Sequence, residues 1–360
     1  MTLPLTSPPG HICILRLSAL GDVSNVVPVV LAIQKAWPQT RITWITGKAE
    51  HSLLKGLNGV EFIVYDKKTG LKGMREIWKH LAGIRFDILL HMQAALRASL
   101  LSVGIKARVR LGFDKARAKD WQWLFTGQKI PARHNGHVAE GFYDFLQALG
   151  IAPESPEQMQ WHLPVSDQAR MEAGQKCPFE RYAVISPCSS QRARNFRNWT
   201  IEGYVAVIEH LYHRYGIKAV ITGGNRDIER EYAESICQRA STPVLSLVDN
   251  TSLQGLVALI DTAELVIAPD SGPVHFANAV NTPVIGLFAT SNVDRTGPYR
   301  WREWAVNCYP QAAEKYMAKS VDQLSWGQRV RHPEAMTVIG IQAVLDQIDR
   351  LMRHKQSDSH

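Results

Sequence analysis

Residues 253–288 read LQGLVALIDTAELVIAPDSGPVHFANAVNTPVIGLF. Leu253–Asp261 spaces its apolar residues as a helix does, and Leu265–Ala268 is a short apolar run. Val274–Ala279 fits a short helix, and Pro283–Phe288 is a second apolar run. Short apolar runs separated by helices mark strands buried on both faces, as in a parallel sheet. The alternation continues backward through Val244–Leu247, Ile228–Ala240, Lys218–Thr222, Ile201–Tyr215 and Tyr182–Ser186. It breaks at Ile151–Ser166, where three prolines and no helical period read as a linker. Nearer the N-terminus it gives strands His11–Leu17, Arg41–Thr46, Glu61–Tyr65 and Phe86–His91, with helices Val26–Trp37 and Met74–Gly83. The expected fold is α/β, with two Rossmann-like domains and a cleft between them. The boundaries fall at 1–160 and 161–335, followed by a C-terminal helix and tail over 336–360, with the helical pattern covering Glu334–Met352.

The chain has 360 residues, 45% hydrophobic and 21% charged, which suits two domains with a core each. No apolar window approaches the roughly 18 residues of a membrane-spanning helix. The opening MTLPLTSPPGHICILRLSALGD lacks the charged n-region and cleavage site of a signal peptide. Cys13, Cys177, Cys188, Cys237 and Cys308 form no CxxC pair and are odd in number. They argue against a disulfide framework or zinc site and for a reducing cytoplasm.

Charge is unevenly placed. Residues 1–160 hold 20 Lys+Arg against 12 Asp+Glu, whereas 161–360 hold 21 of each, so the excess of +8 lies in the first part. It is densest from Lys106 to Arg133. Such a field draws an anionic partner, and a solvated basic face is the plain alternative. No helix-turn-helix, zinc-finger or RNP-type pattern accompanies it, so no nucleic acid is expected; an anionic lipid or glycolipid fits better.

Ligands of open α/β sheets sit at the carboxyl ends of strands. Four turns there stand out. Ser18-Ala19-Leu20-Gly21-Asp22 follows the first strand, and Asp22 fits either a helix cap or a catalytic carboxylate. Asp270-Ser271-Gly272-Pro273-Val274-His275 joins a strand to a helix start, where glycine and helical N–H groups favour a phosphate. His275 reads equally as a structural side chain or one near that anion. Ser186–Trp199 offers hydroxyls and three arginines, suited to a pyrophosphate or to a solvated basic loop. Ile221–Asp227 ends in Gly223 and Gly224 and is a weak nucleotide-loop signal. GxGxxG, Walker A, HExxH and GxSxG are absent, as is an Asp-x-Asp for a divalent metal. No metal or cofactor is expected, and basic side chains must then neutralise a leaving group.

Taken together, four segments are similar to glycosyltransferase family 9, the ADP-heptose:lipopolysaccharide heptosyltransferases. They are LRLSALGDVSNVVPVVLAIQKAWPQTRITWIT (15–46), FDILLHMQAALRASLLS (86–102) with RVRLGF (108–113), SPCSSQRARNFRNWTIEGYVAVIEHL (186–211), and residues 249–299, the most specific block. The resemblance implies a GT-B fold and inverting, metal-independent transfer of L-glycero-D-manno-heptose from ADP-heptose to Kdo of the lipopolysaccharide inner core. It implies that Asp22 is the general base, with Ser18 and Gly21 beside it on the acceptor side. It implies donor contacts from Ser189, Ser190, Arg197, Thr251, Asp270, Ser271, Gly272 and His275. In GT-B folds the C-terminal helix often crosses back to the first domain. Arg197 stands where Lys is usual, the loop before it is longer and more basic, and Pro273 follows the glycine where other residues are common. Arg97, Arg110, Arg117, Lys119 and Arg133 are candidates for a face toward the Kdo–lipid A acceptor. A peripheral, electrostatic place on the cytoplasmic face of the bacterial inner membrane follows from the charge. Competing readings are another GT-B transferase, a nucleotide-sugar or glycolipid binding module without turnover, and a nucleic-acid binder suggested by the basic balance.

Overall fold

The computed structural model describes residues 3–151, 159–189 and 196–357. The chain divides into two compact units, Met1–Pro164 and Val165–His360. Among the described residues no helix is long and apolar enough to cross a membrane.

The first unit runs β1 (His11–Leu15), α1 (Leu20–Ala36), β2 (Arg41–Gly47), α2 (Lys48–Leu54), β3 (Val60–Tyr65), α3 (Gly70–His80), β4 (Phe86–His91), α4 (Leu96–Ser102), β5 (Ala107–Gly112), β6 (Gln128–Lys129) and α5 (Val138–Leu149). Its strands pair in parallel in the order β3-β2-β1-β4-β5-β6. β1 lies at the centre and is buried at every position, which is why it reads as an unbroken apolar run. α1 starts at Leu20, six residues before the periodic signal, because its first two turns carry the polar Asp22, Ser24 and Asn25.

The second unit runs α6 (Asp167–Lys176), β7 (Tyr182–Ile185), α7 (Ile201–Tyr215), β8 (Lys218–Ile221), α8 (Asp227–Arg239), β9 (Val244–Ser246), α9 (Leu253–Asp261), β10 (Leu265–Pro269), α10 (Gly272–Val280), β11 (Val284–Phe288), α11 (Val293–Thr296), β12 (Val306–Asn307), α12 (Tyr309–Met317) and α13 (Ile341–Ser357). Its sheet order, β12-β11-β10-β7-β8-β9, repeats the topology of the first. Both are the doubly wound order, in which the winding reverses beside the first strand. The reversal lies between β1 and β4 in one unit and between β7 and β10 in the other.

The C-terminal helix, expected over Glu334–Met352, begins only at Ile341. A short 3-10 turn at Ala335–Val338 precedes it, and the Ile339 carbonyl accepts a hydrogen bond from the Trp199 indole (3.0 Å) instead of a helical N–H. α13 buries Val344, Ile348, Leu351 and Met352 in the second unit's own core.

Candidate active site

The two reversal points carry the sequence-marked turns. In the first unit the chain leaves β1 through Arg16–Ala19. The Leu17 and Ser18 N–H groups both donate to Oε1 of Gln93, which follows β4, at 2.8 and 3.0 Å. The Gln93 amide donates back to the Ser18 hydroxyl at 3.3 Å. The turn is thus clamped across the switch point.

Asp22 lies in the first turn of α1. Its Oδ2 accepts the Ala19 N–H (3.3 Å), a reach back to the residue that caps α1, and meets Arg16 Nη2 at 2.5 Å. Oδ1 accepts no hydrogen bond among the described residues, and the side chain is 34% exposed. One oxygen is therefore fixed and the other is open to a ligand. Arg16 is buried, donates to the Met92 carbonyl at 2.6 Å, and lies with its guanidinium 5.1 Å from the Phe142 ring centroid. Such a buried, stacked arginine holds its partner in a narrow range of positions. Gly21 is buried at the start of the same helix.

In the second unit, Asp270 follows β10 and Arg197 lies in the loop after β7. Arg197 Nη1 donates to the Asp270 carbonyl (2.6 Å) and to its Oδ2 (3.1 Å), both side chains being nearly buried. Ser291 donates to the same Oδ2 at 2.7 Å, and the half-exposed Arg329 stands 3.8 Å away. The carboxylate thus gathers two arginines at the start of α10. Ser271 stands at the N-cap position of α10, and its hydroxyl donates back to the Pro269 carbonyl (3.0 Å) instead of accepting from the helix. Pro273 sits in the first helical turn, where its missing N–H costs nothing. His275, one turn in, is half-buried.

Ser189 donates its N–H (2.9 Å) and hydroxyl (3.2 Å) to Asn198 Oδ1, closing the base of the loop after β7. Ser190 lies outside the described residues. Burial pushes the Cys188 thiol up to about 12, helped by Glu229 and Glu231, so it is a neutral thiol and no nucleophile. Thr251 is half-buried directly before Ser252, the N-cap of α9. The Gly223–Gly224 turn is already served: the Gly224 N–H donates to Glu229 Oε1 at 3.0 Å.

The five basic acceptor candidates divide. Arg110 donates to the carbonyls of Phe125, Ile105 and Ser102 at 2.8–2.9 Å. Arg117 pairs with Asp114 and Asp144, and Arg133 with Asp144 and Glu140. These three serve the unit's own structure. Arg97 and Lys119 are exposed and form no ion pair among the described residues. Also among the described residues, no group of three or more His, Cys, Asp or Glu comes together as metal ligands. Arg16, Gln93, Ser291 and Arg329 escaped the sequence reading. Of these only Arg16, a charge inside an otherwise apolar strand end, carried a local signal.

The family model of Glycosyltransferase family 9 (heptosyltransferase) matches residues 74–324. The chain is 39% identical to the lipopolysaccharide core heptosyltransferase OpsX of Haemophilus influenzae, covering 97% of this chain and 99% of that protein. It is 26% identical to a lipopolysaccharide heptosyltransferase 3 of Escherichia coli, covering 92% and 96%. The crystal structure of the glycosyl transferase family 9 protein from Veillonella parvula superimposes with a TM-score of 0.77 at 21% identity, covering 96% of this chain and 97% of that one. The two doubly wound sheets are those of a GT-B fold, and the protein is a transferase enzyme. The chain belongs to glycosyltransferase family 9, the heptosyltransferases.

Proposed function

We propose that the protein transfers L-glycero-D-manno-heptose from ADP-heptose to Kdo of the lipopolysaccharide inner core, with inversion and without a metal. The observation that carries this reading is Asp22, a carboxylate with one oxygen held by Arg16 and the Ala19 N–H and the other unengaged among the described residues. Oδ1 takes the proton of the acceptor hydroxyl as that oxygen attacks the anomeric carbon. The bond from that carbon to the diphosphate breaks on the opposite face, and ADP leaves with the electron pair. Arg197, Arg329 and the N–H groups at the start of α10 offset the charge on the departing diphosphate. Asp270 orients these arginines from beneath, and Thr251 and His275 are placed at the donor. The 39% relative, named a lipopolysaccharide core heptosyltransferase, supports the substrate class.

The enzyme acts at the cytoplasmic face of the inner membrane, drawn there by the basic excess of residues 1–160. A second reading, transfer to a later position of the core, is favoured by the relative named heptosyltransferase 3. Incubation with ADP-heptose, EDTA and either a heptose-less Kdo–lipid A or a heptosylated core separates them. Product on the heptose-less acceptor supports the first. Product on the heptosylated core alone replaces it with the second. Product on neither acceptor refutes both.

A further inference from the structure

Ten large apolar side chains stand exposed among the described residues, and six of them fall between Leu96 and Leu124. Leu96, Leu100 and Val103 recur at helical spacing, so α4 and its end turn one apolar stripe outward. Trp121, Trp123 and Leu124 are 62%, 48% and 63% exposed. The two segments run side by side. The Leu96 N–H donates to Asp120 Oδ2 (3.3 Å) at one end. At the other, Arg110 ties the Ser102 and Ile105 carbonyls to that of Phe125.

The turn that presents the tryptophans inverts the usual preference for burial. Between them, the polar Gln122 is fully buried. Its amide donates to His91 Nδ1 (2.8 Å) and the His91 carbonyl (2.7 Å), and its Oε1 accepts the Phe113 N–H (3.3 Å). A buried glutamine anchor thus holds two tryptophans outward. Asp120 and Trp121 both adopt left-handed backbone (φ 51° and 57°), an unfavourable choice that keeps this presentation.

Charge says what covers the patch. Residues 97–133 carry nine Lys+Arg against two Asp. Lys106, Lys115, Lys119 and Lys129 are exposed and make no ion pair among the described residues. Indole rings with leucines, flanked by unpaired lysines, match the interface of an anionic bilayer, where the apolar side chains enter the acyl boundary and lysines meet headgroups. A nucleic acid offers no apolar layer for the leucine stripe.

We infer that α4 and the Trp121–Leu124 turn form a docking surface for an anionic lipid bilayer, adding apolar insertion to the electrostatic attraction. The use of this surface to reach a lipid-borne acceptor rests on the proposed function; bilayer binding itself does not. The test is co-sedimentation of the full chain with phosphatidylglycerol–phosphatidylcholine vesicles and with phosphatidylcholine alone. Wild type is expected to bind the anionic vesicles far more strongly. Trp121→Ser/Trp123→Ser/Leu124→Ser should lose binding by roughly 100-fold, a modest fraction of full burial for three such side chains. Lys106→Glu/Lys115→Glu should lose roughly tenfold or more, at about 1 kcal/mol for each lysine near the surface. All variants should melt like wild type and retain transfer to a deacylated, soluble acceptor. Unchanged vesicle binding by the serine variant overturns the inference. So does equal binding to both vesicle types, or a wild-type dimer that the serine variant dissociates, which would make a second copy the occupant. If vesicle binding behaves as expected but no heptosyl transfer occurs, the proposed function fails and the docking surface stands.

Discussion

Lowering the pH from 7 to 5 should cost the fold about 2 kcal/mol through one side chain, His91. This ring ends β4, is fully buried, and accepts the Gln122 amide on Nδ1, so its proton sits on Nε2, which finds no partner among the described residues. Burial holds its pKa down to about 3, reinforced by the nearby Arg110 and opposed only by a backbone hydrogen bond. In the unfolded chain the ring titrates near 6.5. Between these values the unfolded state binds the extra proton, so stability is complete above about pH 6.5 and falls as pH drops toward 3. The slope approaches 1.4 kcal/mol per pH unit. Urea unfolding followed by tryptophan fluorescence at pH 7 and pH 5 measures it. His91→Asn retains an acceptor for Gln122 but does not titrate, so its loss over the same interval should be smaller by about 2 kcal/mol. Parallel losses in wild type and variant would refute the reasoning. The consequence reaches function, because the same hydrogen bond anchors the tryptophan turn.

Arg197→Met should lower stability by about 3 kcal/mol, since it strands the buried Asp270 carboxylate with Ser291 and a more distant Arg329. Thermal melting checks this, and Arg197→Met/Asp270→Asn should recover part of the loss. Gly203→Ala lies inside α7, where helix propensity alone would give a gain of about 1 kcal/mol. The added Cβ would meet the Trp199 ring at 2.5–2.7 Å, so a net loss of about 1–3 kcal/mol is expected from calorimetry. Arg16→Leu frees the Asp22 carboxylate and should lower kcat by about tenfold to a hundredfold with donor affinity unchanged, Arg16→Lys less so. Single-turnover kinetics with a donor-binding titration separates this from general loss of folding.

The strands central to each sheet were legible because double burial makes them plain apolar runs, as in Leu265–Pro269. Short edge strands such as Gln128–Lys129 were not, because two exposed polar residues leave no pattern. α5 was missed although its first turn holds a capping contact from Glu140 to the His137 N–H. The candidate site was legible where a turn and its glycine are local, at Gly21–Asp22 and Asp270–Gly272. Its partners were not: Gln93 and Arg329 reach their contacts across 75 and 59 residues of chain, which only topology brings together. The basic run shows the same limit. Composition cannot distinguish Arg117, bound to Asp114 and Asp144, from Lys119, which stands free of ion pairs among the described residues.

The central claim is that Asp22 is the base of a metal-independent heptosyl transfer. It is tested most directly by turnover of ADP-heptose with Asp22→Asn in EDTA, alongside ADP-heptose binding by the same protein. The account predicts that turnover falls by about 100-fold or more while binding persists, because the amide keeps the shape but cannot take the acceptor proton. Turnover near the wild-type rate would contradict it.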